Sequence, residues 1–143
     1  MKNRGQLSGG FWCTHCRHFV TLHAYMGTAN RNHCNLCLWS KHVDSKTGDR
    51  QASCRGKMRP VGLTFKHEGV AKIGELMLVH ECSRCGKVSI NRLAADDQNK
   101  EVLKIFQLSC DMKGSKRLYL QELGVNILDL TCEVEVKRQL FGY

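Results

Sequence analysis

Six of the chain's nine cysteines fall in three Cys-x-x-Cys pairs: Cys13/Cys16, Cys34/Cys37 and Cys82/Cys85. Such a turn presents two thiolates from one tight loop, so half of a tetrahedral zinc shell is assembled locally. The spacing Cys13-x2-Cys16-x17-Cys34-x2-Cys37 lies in the range of a four-cysteine site. Cys82 and Cys85 then need two more ligands. Cys54 is the other cysteine of the same segment, and His42, in Cys34-x2-Cys37-x4-His42, is the expected fourth ligand. His80, two residues before Cys82, is its rival. A second partition uses the same eight residues, with Cys34, Cys37, His42 and Cys54 on one ion and Cys13, Cys16, Cys82 and Cys85 on the other. Either way the cofactor is zinc, two ions, each closed by four protein ligands. A closed shell stabilises a fold and leaves no position for an activated water.

The remaining histidines and cysteines carry less. His33 precedes a ligand and is expected to point away from its ion, as a hydrogen-bonding or surface group. His15 and His18 flank the first pair and are expected beside the metal shell or exposed. Cys110 and Cys132 have no ligand types nearby and read as buried free thiols.

The elements that position these ligands follow from the flanking patterns. Leu76-Met77-Leu78-Val79-His80 leads into Cys82, and Val88-Ser89-Ile90-Asn91 leads out, so two strands meet at a zinc-ribbon turn. Gly86, directly after the second ligand, is where that turn requires positive φ. Phe11 to Cys16 and Phe19 to Leu22 read as a second such arm. Residues 40–75 are polar and loop-rich, with a short strand expected at Val61–Phe65 and Pro60 at its start. Downstream, Asp97 is placed as the cap of a helix running to about Leu108. Ser115 caps a second helix, which Gly124 ends, and Val125–Leu128 reads as a short strand. Thr131 caps a last helix with Glu133 and Glu135 early and Lys137 and Arg138 late, the order the helix dipole favours. The fold class is therefore α+β: zinc-ribbon and zinc-knuckle hairpins with two closed zinc sites, then a small helical part. A flexible tail is expected at 1–10, a double-zinc domain at 11–96, and a helical extension packed on it at 97–143.

Composition narrows the setting. Residues 11–96 hold seven of the nine cysteines and all seven histidines, which marks the metal-bound part. No basic stretch leads into an apolar run at the N-terminus, and no run approaches the ~20 apolar residues of a membrane span. Cysteines at metal spacing fit a reducing, cytoplasmic setting and no membrane. The formal charge of +9 falls to roughly +6 once the thiolates of two zinc sites are counted, and still favours an anionic partner.

Arg31-Asn32-His33-Cys34-Asn35-Leu36-Cys37 with Trp39, Lys41, His42 and Asp44 resembles the signature of the RNHCP domain family, small bacterial proteins. The resemblance continues through Gly48-Asp49-Arg50, Cys54 to Pro60, His80 to Gly86, and Asn91 to Asp97. Asn35 stands where the family name has proline; that position is not a ligand. The resemblance implies a zinc-binding domain and carries no activity with it.

Three functions fit the sequence. The first is a module for RNA or a ribonucleoprotein, in which Arg31, Lys41, Arg50, Arg84, Lys87 and Arg92 form a basic face and Trp39 or Phe11 stacks on an unpaired base. The blander reading is a salt-bridged and capping network in which Arg31, Arg50, Arg59 and Arg92 fix the loops around zinc with Asp44, Asp49, Asp96 and Asp97. The second function is a protein-interaction adaptor that uses the last helix, with Leu140 and Phe141 exposed. The third is a metal-dependent nuclease built on His42, Asp44 and Asn91, which the closed zinc shells disfavour. No nucleophile elbow, phosphate-binding loop or deaminase pattern is present.

Overall fold

The computed structural model describes residues 10–21, 33–42, 54–67 and 73–142. Strand β1 (Gly10–Trp12) pairs antiparallel with β2 (Phe19–Thr21). A second sheet has the order β3 (Ser40–Lys41), β4 (Lys57–His67), β5 (Ile73–Cys82), β6 (Val88–Arg92), with every pairing antiparallel. Helices α1 (Asn99–Cys110), α2 (Gly114–Glu122) and α3 (Glu133–Phe141) follow, the last after a 3-10 turn at Leu130–Cys132. The architecture is α+β.

The hairpin β4–β5 is the frame. The short strand expected at Val61–Phe65 spans eleven residues, Lys57–His67, because Met58–Pro60 also pair against His80–Cys82, Lys57 pairs with Lys41, and His67 pairs with Ile73. Pro60 therefore sits inside the strand, opposite His80, and the register shifts directly after it, between Pro60 and Gly62. A strand proline withholds one ladder bond, and the irregularity accommodates it. Strand β3 falls in a segment read as loop; its two residues pair with Met58 and Lys57. Two residues leave no periodicity to detect.

Alternation along β5 serves two cores. Leu76 and Leu78 face Leu38, Leu63, Val102, Phe106 and Val136, while Val79 faces Leu120, Val125 and Ile127. Each fully buried leucine there contributes about 1.5–3 kcal/mol. Leu38 follows Cys37 directly, so the metal-binding turn is anchored in the same core as the helices.

The helical part also closes the sheet's open backbone groups. Beyond β3 the outer edge of β4 meets no strand among the described residues. The Leu63 amide donates to the buried Ser109 hydroxyl at 2.6 Å, and the Leu63 carbonyl accepts from the Leu128 amide at 3.0 Å. Val125–Leu128 is thus an edge cover in extended coil rather than the strand expected there. A Cβ at Gly62 would lie 2.9 Å from the Ser109 hydroxyl oxygen, which is why this close approach uses glycine. At the other end of the hairpin β5 runs past β6. There the Gln139 side chain accepts from the Leu76 amide at 2.7 Å and donates to the Gly74 carbonyl at 3.1 Å, standing in for a strand.

Helix ends differ from expectation in their caps. Helix α1 starts at Asn99, and Asp97 lies before it, accepting from the Ala94 amide at 2.8 Å. Helix α2 starts at Gly114, so Ser115 lies inside its first turn; Gly124 adopts φ +88° past its end, as expected. The Asp129 carboxylate, not Thr131, caps the 3-10 turn, accepting from the Thr131 amide at 3.0 Å. The Thr131 hydroxyl, which also donates to that carboxylate, and then the amide hold the Asp129 carboxyl below its usual range. Glu133 and Glu135 do sit in the first turn of α3 and Arg138 in its last. No helix among the described residues is long and apolar enough to cross a membrane.

Candidate zinc centres

The three Cys-x-x-Cys turns share one hydrogen-bonding plan. The amide of each first cysteine donates to the carbonyl five residues on: Cys13 to His18, Cys34 to Trp39 and Cys82 to Lys87, at 2.8–2.9 Å. The residue after each second cysteine donates back to the first cysteine's carbonyl, from Arg17, Leu38 and Gly86. All three adopt positive φ, at +68°, +67° and +83°. Only the third has the glycine that such a backbone favours. At Arg17 and Leu38 the left-handed conformation costs about 1–2 kcal/mol, which the metal and the burial of Leu38 must offset. Amides within the turn also point at the first sulfur: those of His15 and Cys16 at Cys13, Leu36 at Cys34, and Arg84 and Cys85 at Cys82, at 3.3–3.5 Å.

These turns meet in two clusters. Cys13, Cys16, Cys34 and Cys37 form the first; His42, Cys54, Cys82 and Cys85 form the second, with the ligand atoms of each within 4.8 Å of one another. The first of the two possible partitions is therefore the one built. Sulfurs approach at 3.6 Å for Cys13/Cys37, Cys16/Cys34 and Cys54/Cys82, and His42 Nδ1 lies 3.3 Å from Cys85 Sγ. A disulfide would need about 2.05 Å. A tetrahedron with zinc–sulfur arms of about 2.3 Å has edges of about 3.8 Å, so the spacing fits zinc.

The electrostatics point the same way. Burial works to raise the Cys13 and Cys82 thiols, but the turn amides outweigh it, so Cys13 is lowered and Cys82 falls to about 6. Cys34 and Cys37 are raised by burial and by the neighbouring sulfurs. At Cys54 the Gly56 amide favours the thiolate, but burial and the sulfurs of Cys82 and Cys85 outweigh it and the pKa rises. Four thiolates at this spacing repel, and a divalent cation is the group that lets them ionise together.

His42 enters the second cluster through its backbone: its amide donates to the Gly56 carbonyl at 2.8 Å and its carbonyl accepts from the Arg55 amide at 2.9 Å. Arg55, after Cys54, again has positive φ, +58°. His80 is no ligand. It is fully buried, with Nε2 2.6 Å from the Leu38 carbonyl and Nδ1 2.8 Å from the Asn91 amide nitrogen, which fixes a neutral ring with its proton on Nε2. Burial, helped by nearby His33, pushes its pKa down to about 3. His33, 1% exposed, turns from the metal to meet Asp97 at 2.8 Å, so the signature histidine ties the second turn to the start of α1. The Gln98 amide, donating to the Asn35 carbonyl at 3.0 Å, makes a second tie. Cys110 and Cys132 are half-buried against the larger core.

The proposed partner-facing residues are distributed as follows. Arg31 and Arg50, with Asp44 and Asp49, lie outside the described residues. Arg84 and Lys87 are exposed on the third turn, and the Arg84 guanidinium donates to the Cys54 carbonyl at 2.9 Å. Lys41 is half-buried in β3, and Arg92, at the end of β6, pairs with Glu75 at 3.3 Å. Of the expected arginine–aspartate network, Arg59 pairs with Glu81 and Asp97 with His33, and half of its members lie outside the described residues. Trp39 is half-buried, and its ring stacks on His15 at 3.9 Å with the planes 2° apart, so one face is taken. Phe11 packs with Cys13, Val20 and Cys34. Its neighbour Trp12 is the exposed aromatic, at 69%, edge-on to Phe19 at 4.9 Å. Strand alternation made the choice between Phe11 and Trp12, and the sequence alone gave no face. Lys57 was also missed; it lies directly opposite Lys41. Of the nuclease set, His42 is a zinc ligand and Asn91 is committed to His80. On α3, Leu140 is half-buried and Phe141 is 44% exposed, which splits the patch expected there.

The fold and site define a double-zinc ribbon protein whose two closed centres knit the turns to a helical cap. The chain matches the RNHCP domain over residues 8–103, well over half its length, and belongs to that family. No curated protein and no solved structure matches it.

Proposed function

We propose that this zinc-binding module recognises single-stranded RNA, free or within a ribonucleoprotein, through the outer surface of its metal-binding turns. The observation that carries the reading is a like-charge pair. Lys41 and Lys57 face each other across β3 and β4, and the Lys57 carbonyl accepts from the Ser83 amide of the turn that bears Arg84. Opposed like charges destabilise a sheet, and no carboxylate among the described residues is paired with either lysine. A phosphate bridging them relieves that cost. Trp12, exposed on the first turn, supplies a stacking face, and the basic excess of the chain supplies attraction at range.

The test is fluorescence anisotropy of a labelled single-stranded oligoribonucleotide across a salt series, with the zinc-loaded protein. Three phosphate contacts, by Lys41, Lys57 and Arg84, give a slope of about −2 in log affinity against log salt. Lys57→Glu flattens the slope by about 0.7 or more, and Trp12→Ala costs about 1–3 kcal/mol. Binding that ignores salt, or none at low salt, sinks the reading.

A further inference from the structure

Trp39 has one ring face covered, and the group that covers it is itself open to solvent. The His15 imidazole lies on the indole with centroids 3.9 Å apart and planes 2° apart, so the two rings are in van der Waals contact across a face. His15 is exposed on the first metal-binding turn, and its ring nitrogens meet no protein group among the described residues. Its second face is therefore the outer end of a two-ring pile. Both rings are held through their backbones by the turns of one candidate centre. The His15 amide donates to Cys13 Sγ at 3.3 Å, and the Trp39 carbonyl accepts from the Cys34 amide at 2.9 Å. Leu38 and Ser40, on either side of Trp39, are buried. A face fixed in this way binds without the cost of ordering its own rotamers.

The charges beside the pile select what lies on it. Burial alternates along the segment into β3: Leu38, Ser40 and His42 are buried, while Trp39 and Lys41 are half-buried between them. In an extended chain that alternation puts Trp39 and Lys41 on one face, about 7 Å apart along the strand. Lys57 stands directly opposite Lys41 on that face, and neither lysine is paired with a carboxylate among the described residues. Glu81, which the register places on the same face of the sheet, is already held by Arg59 at 3.3 Å and Lys116 at 2.6 Å. An open aromatic face beside two uncompensated cations is the combination that holds single strands, with bases stacked on rings, histidine included, and phosphates on the cations.

We infer that the outer face of His15 seats one unpaired nucleobase, extending the Trp39–His15 pile by a third ring, while the phosphates beside that base lie on Lys41 and Lys57. This inference rests on RNA recognition as proposed above and adds to it a base-contacting residue other than Trp12. Every base has a π-face, so the seat requires that the base be unpaired and not that it be a particular one.

The probes are a labelled oligoadenylate and the same sugar–phosphate chain without bases, each titrated by anisotropy against the zinc-loaded full chain. His15→Ala keeps the backbone amide that meets Cys13 Sγ, so its zinc content should equal that of the wild type. It should weaken oligoadenylate binding by about 5- to 150-fold. The salt slope and the affinity for the baseless chain should not change, because no phosphate contact is lost. His15→Phe, which restores a flat ring, should restore the affinity for oligoadenylate. In the wild-type complex the carbon-bound protons of the His15 ring should move upfield, as they do beneath a stacked base. Oligoadenylate binding that keeps its salt slope and is untouched by His15→Ala would overturn the inference and leave RNA recognition standing. Equal weakening of both probes by His15→Ala would also overturn it, by giving the ring a structural role only. A wild-type protein that binds neither probe would remove RNA recognition itself, and the seat with it.

Discussion

Gly56 offers the sharpest perturbation of a zinc centre without touching a ligand. It lies two residues after Cys54, and its carbonyl holds the His42 amide, so two ligands of the second cluster depend on its position. A Cβ there would stand 2.6 Å from the Arg84 Cβ and 2.8 Å from Cys82 Sγ, with Cys54 Sγ at 3.4 Å. Non-bonded heavy atoms settle at about 3.5–4.0 Å, so Gly56→Ala demands a shift of roughly 1 Å. Neither close neighbour is the end of a flexible chain; one is a side-chain root and the other a metal ligand. Ligand distances tolerate about ±0.2 Å, so the strain appears in metal binding. Overpacking of this kind costs about 1–3 kcal/mol, which converts to a loss of about 5- to 150-fold in zinc affinity. Competition with a chromophoric chelator reads both sites in one titration. One equivalent of zinc should weaken by that factor and the other should stay at the wild-type value. Two equivalents at wild-type affinity in Gly56→Ala would refute the packing argument, and equal weakening of both would refute the assignment of Gly56 to one centre.

Other outcomes follow from the same geometry. Gly86→Ala meets no atom within 4 Å and is penalised only through its φ of +83°. It should lower stability by about 1 kcal/mol in a denaturant titration while leaving zinc affinity near wild type. Gln139→Ala should cost about 1–3 kcal/mol, since it strips the partners of the Leu76 amide and Gly74 carbonyl, and the Leu76 amide should exchange faster. His80 has its folded pKa lowered to about 3, below the unfolded value near 6.5. Its contribution to stability is thus present above about 6.5 and is lost as pH falls toward 3. Its imidazole resonances should stay those of the neutral ring as pH drops through 6.5, whereas a ring that titrates there would contradict the buried bonds to Leu38 and Asn91.

Much of the centre was legible because its signal is local. A Cys-x-x-Cys turn writes its own geometry, and Gly86 announced the left-handed residue that follows. Arg17 and Leu38 do the same task without announcing it, because metal and core burial override the local preference. His42 and His80 both lie within reach of a ligand pair in sequence; long-range packing decides between them, through the Leu38 and Gly56 carbonyls. Helices α1 to α3 showed in their cap candidates, in Gly124 and in the charge order of the last, yet α1 starts two residues after Asp97, whose carboxylate meets His33 and the Ala94 amide instead. Gln139 left no trace in the sequence, since a single amide standing in for a strand has no periodicity. The exposed faces were the least legible part. Trp12 and Lys57 gained their meaning from β-pairing, which the chain reveals only once folded.

The central claim is two closed zinc centres, one of four sulfurs and one of three sulfurs and a nitrogen. Zinc X-ray absorption on protein of known metal content tests it directly. The two centres together offer seven sulfurs and one nitrogen, so the average shell per zinc should be about 3.5 sulfurs at about 2.3 Å and half a nitrogen at about 2.0 Å. The account predicts that average with two zinc ions per chain. One ion per chain, or a shell with a light-atom ligand beyond that half nitrogen, would contradict it.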